Sequence, residues 1–334
     1  MSNYDIDHLV SVNIRNFLPE IGMDAIREEI IKGLQAPEKY ISSKFFYDET
    51  GSRLFEAITG LEEYYPARTE KALLEKISPV ISREYPFSSI VELGSGDCSK
   101  ISLLLSYFSK ERLKKLKYIP VDISQQAIEE SIYCLSRNFD EVEVEGIVAD
   151  FFTQLDSLPK NEAHRLFCFF GSTLGNFEPE KGRDFINEIG SIMRKGDMFL
   201  LGIDMIKDTN ILENAYNDKK GVTADFNKNI LNAVNDLLQT NFDTRKFEHL
   251  AFYNSDLQRI EMHLKALEDM EISSPLLDYP VHLKKGETIH TENSYKFHKE
   301  DIINLCIMNG LTPVQVYSDR RNWFSVFHFL KSAE

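Results

Sequence analysis

At 334 residues the chain is long for a single compact unit and fits one large α/β domain carrying a second lobe. A formal net charge of −15 leaves no broad basic face, which excludes nucleic acid as the main partner. With 43% hydrophobic and 27% charged residues, the composition is that of a globular protein able to bury a sizeable core.

Cys98, Cys134, Cys168 and Cys306 lie far apart without a CxxC pair, so neither a zinc site nor a disulfide framework is expected. The eight histidines show no HExxH or HxH arrangement, and no metal is expected. The first residues, MSNYDIDHLV, lack the basic start and apolar run of a signal peptide. No apolar stretch approaches the roughly 20 residues that span a bilayer. These features point to a soluble monomer of the reducing cytoplasm, with no membrane partner.

In chain order, regularity begins near residue 66. Pro66 opens a segment with apolar residues at Leu73, Leu74, Ile77, Val80 and Ile81, a helical spacing with proline suitably placed in the first turn. Five short apolar runs follow, each leading into a helix-like segment: SSIVEL (88–93), KYIPVD (117–122), EGIVAD (145–150), RLFCFF (165–170) and DMFLLGID (197–204). Such alternation predicts a parallel sheet covered on both faces. Pro120 within the second run predicts an edge-like or irregular strand there. Residues 206–290 read as helical and irregular, with Phe226, Ile230, Leu231, Val234, Leu237 and Leu238 on one helix face. The C-terminal text predicts a helix stopped at Gly310 and then two closing strands. The expected architecture is α/β: a Rossmann-like core at 66–205 and 295–334, with a second lobe from 1–65 and 206–294.

The turn Glu92-Leu-Gly94-Ser-Gly96-Asp-Cys-Ser99 follows a predicted strand and opens a predicted helix, and its glycines allow close backbone approach to a ligand. Ser99 stands where a dinucleotide fingerprint has its third glycine. Asp122 ends the next strand, where a carboxylate can take both hydroxyls of a ribose. Asp150, followed by Phe151, ends the third and suits an adenine amino group and ring. Ligands of open α/β sheets sit at the carboxyl ends of strands, and Gly94, Asp122 and Asp150 all fall there. Together they favour S-adenosylmethionine (SAM) over NAD. The fourth run ends in Gly171-Ser-Thr-Leu-Gly-Asn176. Asn176 can donate and accept, which suits holding an amino acid's amine or carboxylate in line with a methyl donor.

The blocks FYDETGSRLF (46–55), EYYPARTE (63–70), ELGSGDCSK (92–100), PVDIS (120–124), ADFF (149–152), FFGSTLGN (169–176), DMIKDTNILENAYND (204–218), GVTADFNKNIL (221–231), RIEMHLKA (259–266) and TENSYKF (291–297) together resemble one family. It is the histidine-specific SAM-dependent methyltransferases, the first enzymes of ergothioneine biosynthesis. The resemblance runs from about residue 40 almost to the C-terminus. It implies a class I methyltransferase fold whose substrate, free L-histidine, lies between the core and the second lobe. It implies SAM contacts from Gly94, Gly96, Lys100, Asp122, Asp150 and Phe151. It further implies substrate contacts from Tyr64, Asn176 and Tyr216, the last two near the α-amino and α-carboxylate groups. The imidazole would lie at Met262, Glu292 and Ser294, with Tyr47 and Phe55 lining the pocket and Asn176, Gly171 and Tyr47 closest to the transfer. The family often has valine where Asn293 stands. Glu292 can accept from an imidazole N–H, and Ser294 can donate or accept at the same ring. The product expected is hercynine, by three methylations of the α-amino group. Methylation of another amino acid, an NAD-dependent oxidoreductase and a non-catalytic SAM-binding regulator are the rival readings.

Overall fold

A computed structural model describes residues 13–19, 22–96, 98–151, 154–159 and 164–332. The N-terminal run read above for a signal peptide lies outside them. The strands are β1 (Asn13–Asn16), β2 (Lys39–Tyr40), β3 (Ser89–Leu93), β4 (Lys117–Asp122), β5 (Glu143–Val148), β6 (Arg165–Phe169) and β7 (Met198–Asp204). They continue with β8 (Phe247–Asn254), β9 (Arg259–Ala266), β10 (Met270–Ile272), β11 (Val281–Leu283), β12 (Thr288–Tyr295), β13 (Leu311–Ser318) and β14 (Phe324–Lys331). The helices are α1 (Met23–Gln35), α2 (Glu49–Thr59), α3 (Tyr65–Glu84), α4 (Ser99–Leu105), α5 (Lys110–Leu113) and α6 (Gln125–Asn138). After them come α7 (Pro179–Ile192), α8 (Thr209–Tyr216), α9 (Val222–Leu238) and α10 (Lys299–Met308).

The large sheet runs β1-β5-β4-β3-β6-β7-β14-β13. The first six strands are parallel; β14 lies antiparallel to β7 and β13 antiparallel to β14. Every residue of β3, β6 and β7 is buried, as expected of strands covered on both faces. The five expected runs all form strands of this sheet, and α10 stops before Gly310, which takes a left-handed φ of 74°.

Three expectations need correction. Pro120 does make β4 irregular, but the strand lies inside the sheet rather than at its edge. The ladder explains the tolerance: β4 pairs with β5 at Tyr118–Val144 and again at Val121–Ile147, and the missing N–H falls in the gap between. Residues 13–16, assigned from sequence to the second lobe, pair with β5 on the edge of the large sheet. The segment 206–290 is helical only through α8 and α9. From residue 247 it folds into antiparallel strands, in a second sheet of order β2-β12-β9-β8.

A fourth concerns the cysteines. Cys98, before α4, and Cys134, in α6, are joined in a disulfide although 36 residues apart in sequence. Local spacing cannot report a pair that meets only when two helices pack on the same sheet.

Apolar packing falls into distinct clusters. Leu73 to Ile81, the strands of the large sheet and α7 pack above and below that sheet. Ile30, Leu34, Phe46, Leu212, Phe226, Ile230, Met262 and Ile289 form a separate core around the small sheet. α9 supplies the face read from its sequence, with Phe226, Ile230, Leu231, Val234 and Leu238 buried.

The small sheet carries one feature that positions the site. β12 pairs with β9 at His290–His263, then skips Thr291 and resumes at Glu292–Met262 and Ser294–Ile260. Thr291 is a β-bulge, its hydroxyl donating to Asn227 Oδ1 at 2.7 Å. The extra residue puts Glu292 and Ser294 on the same face as Met262 and Ile260. Were Thr291 paired in the ladder rather than bulged out of it, the alternation would present Thr291 and Asn293 instead.

Candidate active site

The carboxyl edge of the large sheet holds the first half of the site. Gly94 and Gly96 follow β3 with φ of 69° and 50°, and a Cβ at either position would meet nothing within 4 Å. The turn therefore needs glycine for its backbone, and it leaves open room above it. The Gly94 N–H donates to Val121 O at 2.8 Å, tying the turn to the end of β4. There Asp122 accepts from the Ser124 N–H at 2.9 Å. Burial raises the Asp122 pKa, opposed by N–H groups of Ser124, Gly96 and Ile123. A largely buried carboxylate beside a glycine turn fits a ribose with two hydroxyls to donate. Asp150 follows β5 on the same edge, and the Phe151 ring packs edge-on to Phe169 and Phe185 at 5.7 and 5.9 Å.

Lys100 reaches a group that sequence reasoning passed over. Its ammonium lies 2.8 Å from Glu70, a carboxylate of zero exposure on α3. Both oxygens of Glu70 also accept from the Gly171 N–H, at 2.9 Å. Glu70 thus pins the loop after β6 to the helix after the glycine turn. At the end of that loop Asn176 closes a short 3-10 turn, Thr173–Asn176. Gly175 sits against β12 so closely that a Cβ would come within 2.7 Å of Tyr295 O. Only glycine lets Asn176 lie this near to the strand bearing Glu292 and Ser294.

The second half is a narrow aromatic-walled cavity lined by Phe55, Tyr64, Tyr216, Thr223, Phe226, Met262 and Glu292, with Ile58 and Ala215. The rings form a chain: Phe226 to Tyr47 at 6.1 Å, Tyr47 to Phe55 at 5.8 Å, Phe55 to Tyr64 at 6.5 Å and Tyr64 to Tyr216 at 6.2 Å. Tyr47 is 48% exposed as a residue. Its hydroxyl nevertheless meets a crowded environment, where burial and then Glu292, Tyr64 and Asp122 raise its pKa. Tyr47 therefore borders both halves of the site.

Glu292 is pushed up to about 7 by burial, with Lys296 pulling the other way. It stands between an acceptor and a donor near neutral pH. The Tyr216 hydroxyl donates to Ser294 Oγ at 2.8 Å, and burial, Asp204 and Glu292 hold its pKa well above the usual phenol range. Beneath them lies a charged floor. Lys296, 2% exposed, bonds Asp204 at 2.9 Å, while Asp204 also accepts from Lys207 at 2.5 Å and Tyr65 at 2.8 Å. Burial pushes Asp204 up, yet Lys296 and Lys207 outweigh it and keep its carboxyl below the ordinary range.

The structure thus brings Gly94, Gly96 and Asp122 together, and separately Tyr47, Phe55, Tyr64, Tyr216, Met262, Glu292 and Ser294. Lys100 and Gly171 meet through Glu70. Asn293 points to the opposite face. It donates to Glu178 at 2.8 Å and its oxygen lies 2.9 Å from His290 Nε2, so it does not enter the pocket. On that outer face Glu261, His263 and His290 cluster within metal-ligating reach. The carboxylate there is already held by Arg259 at 2.9 Å, Asn254 at 3.0 Å and His263 at 3.1 Å, a hydrogen-bonded network rather than an ion cage.

Thr223, Phe226, Asp204, Lys296 and Glu70 were missed as site residues. Asp204 carried the same strand-end signal as Asp122. Phe226 was legible only as a helix-face apolar residue, and the other three carry no local mark of their role.

A glycine turn with strand-end acids on a parallel sheet, beside an aromatic-walled cleft, defines a SAM-dependent methyltransferase. The chain belongs to the family "Histidine-specific methyltransferase, SAM-dependent", whose model matches residues 26–331. It is 35% identical over 311 residues to the histidine N-alpha-methyltransferase of Mycolicibacterium smegmatis, covering 93% of this chain and 96% of the relative. To the histidine N-alpha-methyltransferase of Mycobacterium tuberculosis it is 35% identical over 316 residues, covering 94% and 98%. It is also 29% identical over 282 residues to ergothioneine biosynthesis protein 1 of Schizosaccharomyces pombe, covering 80% of this chain and 35% of that longer protein. Membership of this family sets aside the NAD-dependent reading, and SAM is the cofactor.

Proposed function

We propose that this protein transfers methyl groups from SAM to the α-amino nitrogen of free L-histidine, three in succession, giving hercynine as the first step of ergothioneine biosynthesis. The observation that carries the reading is the convergence of Glu292, Ser294 and Met262 on one face of the small sheet, beside a cavity walled by Tyr64 and Tyr216. The names of the two mycobacterial relatives support the substrate, and that of the yeast relative supports the pathway.

In this reading the chain forms two lobes, a SAM core at 66–205 and 295–334 and a substrate lobe from the remainder, apart from the edge strand β1. Gly94, Gly96, Asp122, Asp150, Phe151 and Lys100 hold SAM, which supplies an electrophilic methyl on a sulfonium. Asn176 and Tyr216 hold the α-amino and α-carboxylate groups, and Glu292 and Ser294 engage the two ring nitrogens beside Met262. A pocket that pairs both nitrogens rejects apolar amino acids, since its buried polar groups would be left unpaired. The rate gain comes from holding a neutral amine in line, not from acid–base chemistry. Gly171 and Tyr47 border the point of transfer, and the amine's proton passes to water. As methyls accumulate, the faces of Tyr47, Phe55 and Tyr64 stabilise the growing cation, each by roughly 0.5–2 kcal/mol.

Among the described residues no helix is long and apolar enough to cross a membrane. The reading places a monomer in the cytoplasm, where cell fractionation and light scattering test it. The reaction itself is tested by mass spectrometry of products after incubation with SAM and the twenty amino acids as a mixture. Trimethylated histidine is the expected product; methylation of another amino acid in its place overturns the reading.

A further inference from the structure

The charged floor under the pocket makes a demand on Ser294 that follows from counting hydrogens. Lys296 has three ammonium protons, and the structure uses all three. They go to Asp204 Oδ2 at 2.9 Å, to Ser294 Oγ at 2.8 Å and to the Tyr216 hydroxyl at 3.1 Å. Tyr216 accepts from Lys296 and so has its own proton to place, and it donates to Ser294 Oγ at 2.8 Å. Ser294 Oγ therefore receives two hydrogen bonds, one from an ammonium and one from a phenol. A hydroxyl oxygen has two lone pairs and one proton. With both lone pairs taken, only the proton is left.

We propose that Lys296 is a positioning residue for substrate choice: with Tyr216 it fills the acceptor capacity of Ser294, leaving that hydroxyl only as a donor into the pocket. The inference rests on the histidine reading above and deepens it. A site with an obligate donor at Ser294 takes a ring bearing an unprotonated, acceptor nitrogen there. The bound imidazole is then neutral, its N–H turned to Glu292 and its lone pair to Ser294. Imidazolium, with two N–H donors, faces a donor at Ser294 and is excluded. Asp204 completes the device. It receives Lys296, Lys207 and Tyr65, so the lysine is held in place on an anion that is itself fully engaged. A neutral serine without this floor would rotate to donate or accept as the ligand required.

The first test uses the unaltered protein. Histidine labelled with 15N in the ring, bound in the presence of S-adenosylhomocysteine at pH 6, is expected to show one protonated and one unprotonated ring nitrogen. Two protonated nitrogens overturn the proposal. The second test compares β-(4-thiazolyl)alanine, whose ring keeps an acceptor nitrogen, with β-(2-thienyl)alanine, whose ring has none. The unaltered protein is expected to prefer the thiazole in kcat/KM by about ten- to a hundredfold, the weight of one buried hydrogen bond. In Lys296→Met the preference is expected to fall within about twofold, whatever the loss in overall rate. Because that change strands Asp204, the charge-neutral pair Lys296→Met/Asp204→Asn serves as the folded alternative. A thiazole preference that survives in either variant overturns the role of Lys296. Failure of the unaltered protein to methylate histidine at all strikes the functional reading instead, which keeps the two outcomes apart.

Discussion

At the carboxyl edge of the large sheet, recognition is built from backbone turns and from acids that end strands. On the small sheet it is built from side chains that alternate between two faces of one strand. The first design is robust to register, because Gly94, Asp122 and Asp150 are each placed by the end of their own strand. The second depends entirely on register. Glu292 and Ser294 face the cavity only because Thr291 stands outside the ladder; were it paired opposite Met262, the slip of one position would exchange inner for outer side chains. The comparison also separates their electrostatics. Asp122 is held by backbone N–H groups around it, whereas Glu292 has the charge of Lys296 set against its burial and is pushed up to about 7.

The most disruptive way to break this contrast is to empty the inner face of β12. Replacing Glu292 and Ser294 together with alanine leaves the bulge and the ladder in place. Histidine turnover is expected to fall by more than about a hundredfold, since both ring contacts are lost. SAM affinity, measured by calorimetry, is expected to stay within a few-fold, because the large sheet is untouched. Equal loss of both would show that the two halves are not separable.

Asp122→Ala probes the other half. If Asp122 takes two ribose hydroxyls, as proposed, its loss costs about 2–3 kcal/mol, a thirtyfold to hundredfold weaker binding of SAM. Histidine affinity, read by ligand-detected NMR without SAM, is expected to be unchanged. A third substitution, Glu292→Gln, sharpens the electrostatic difference. The raised pKa means that Glu292 is protonated below about 7 and accepts an imidazole N–H fully only above it. The kcat/KM for histidine is therefore expected to rise with pH through about 7, beyond any rise from ionisation of the substrate. Glutamine keeps an acceptor but does not titrate. It should lower kcat/KM at pH 8 by about tenfold and abolish that inflection. An inflection that persists in the variant assigns it to another group.

The two halves also differed in how far they could be read from sequence. The strand-turn-helix units around Gly94, Asp122 and Asp150 are local, and their signals lie within a few residues of one another. The small sheet is not local: β2 at residues 39–40 pairs with β12 some 250 residues later, and no window along the chain contains both. The segment Arg259–Ala266 did carry a two-residue period, with Ile260, Met262 and Leu264 buried, but the helix before it made the whole insertion read as helical. Lys296, Glu70 and the Cys98–Cys134 pair were illegible for the same reason. Each acquires its meaning from a partner in a different element, Asp204 for the first and Gly171 for the second. Glu292 and Ser294 were named through family resemblance, and only the structure shows that a bulge is what turns them inward.

Asn293 gives the smallest expected effect and the finest test of the face argument. It stands between Glu292 and Ser294 in sequence. If position alone governed the pocket, Asn293→Val would disturb imidazole binding as much as its neighbours do. The structure turns it outward onto Glu178 and His290, with 9% of its surface exposed. Valine there removes two hydrogen bonds, each worth about 0.5–1.5 kcal/mol, and introduces a β-branched residue that suits a strand. The two changes oppose one another. The melting temperature is expected to move by no more than about 1–3 °C, and kcat/KM for histidine to stay within about twofold. A larger loss confined to kcat/KM, with the melting temperature unchanged, would mean that the outer face of β12 reaches the ring after all, through the strand backbone that Asn293 shares with Glu292 and Ser294.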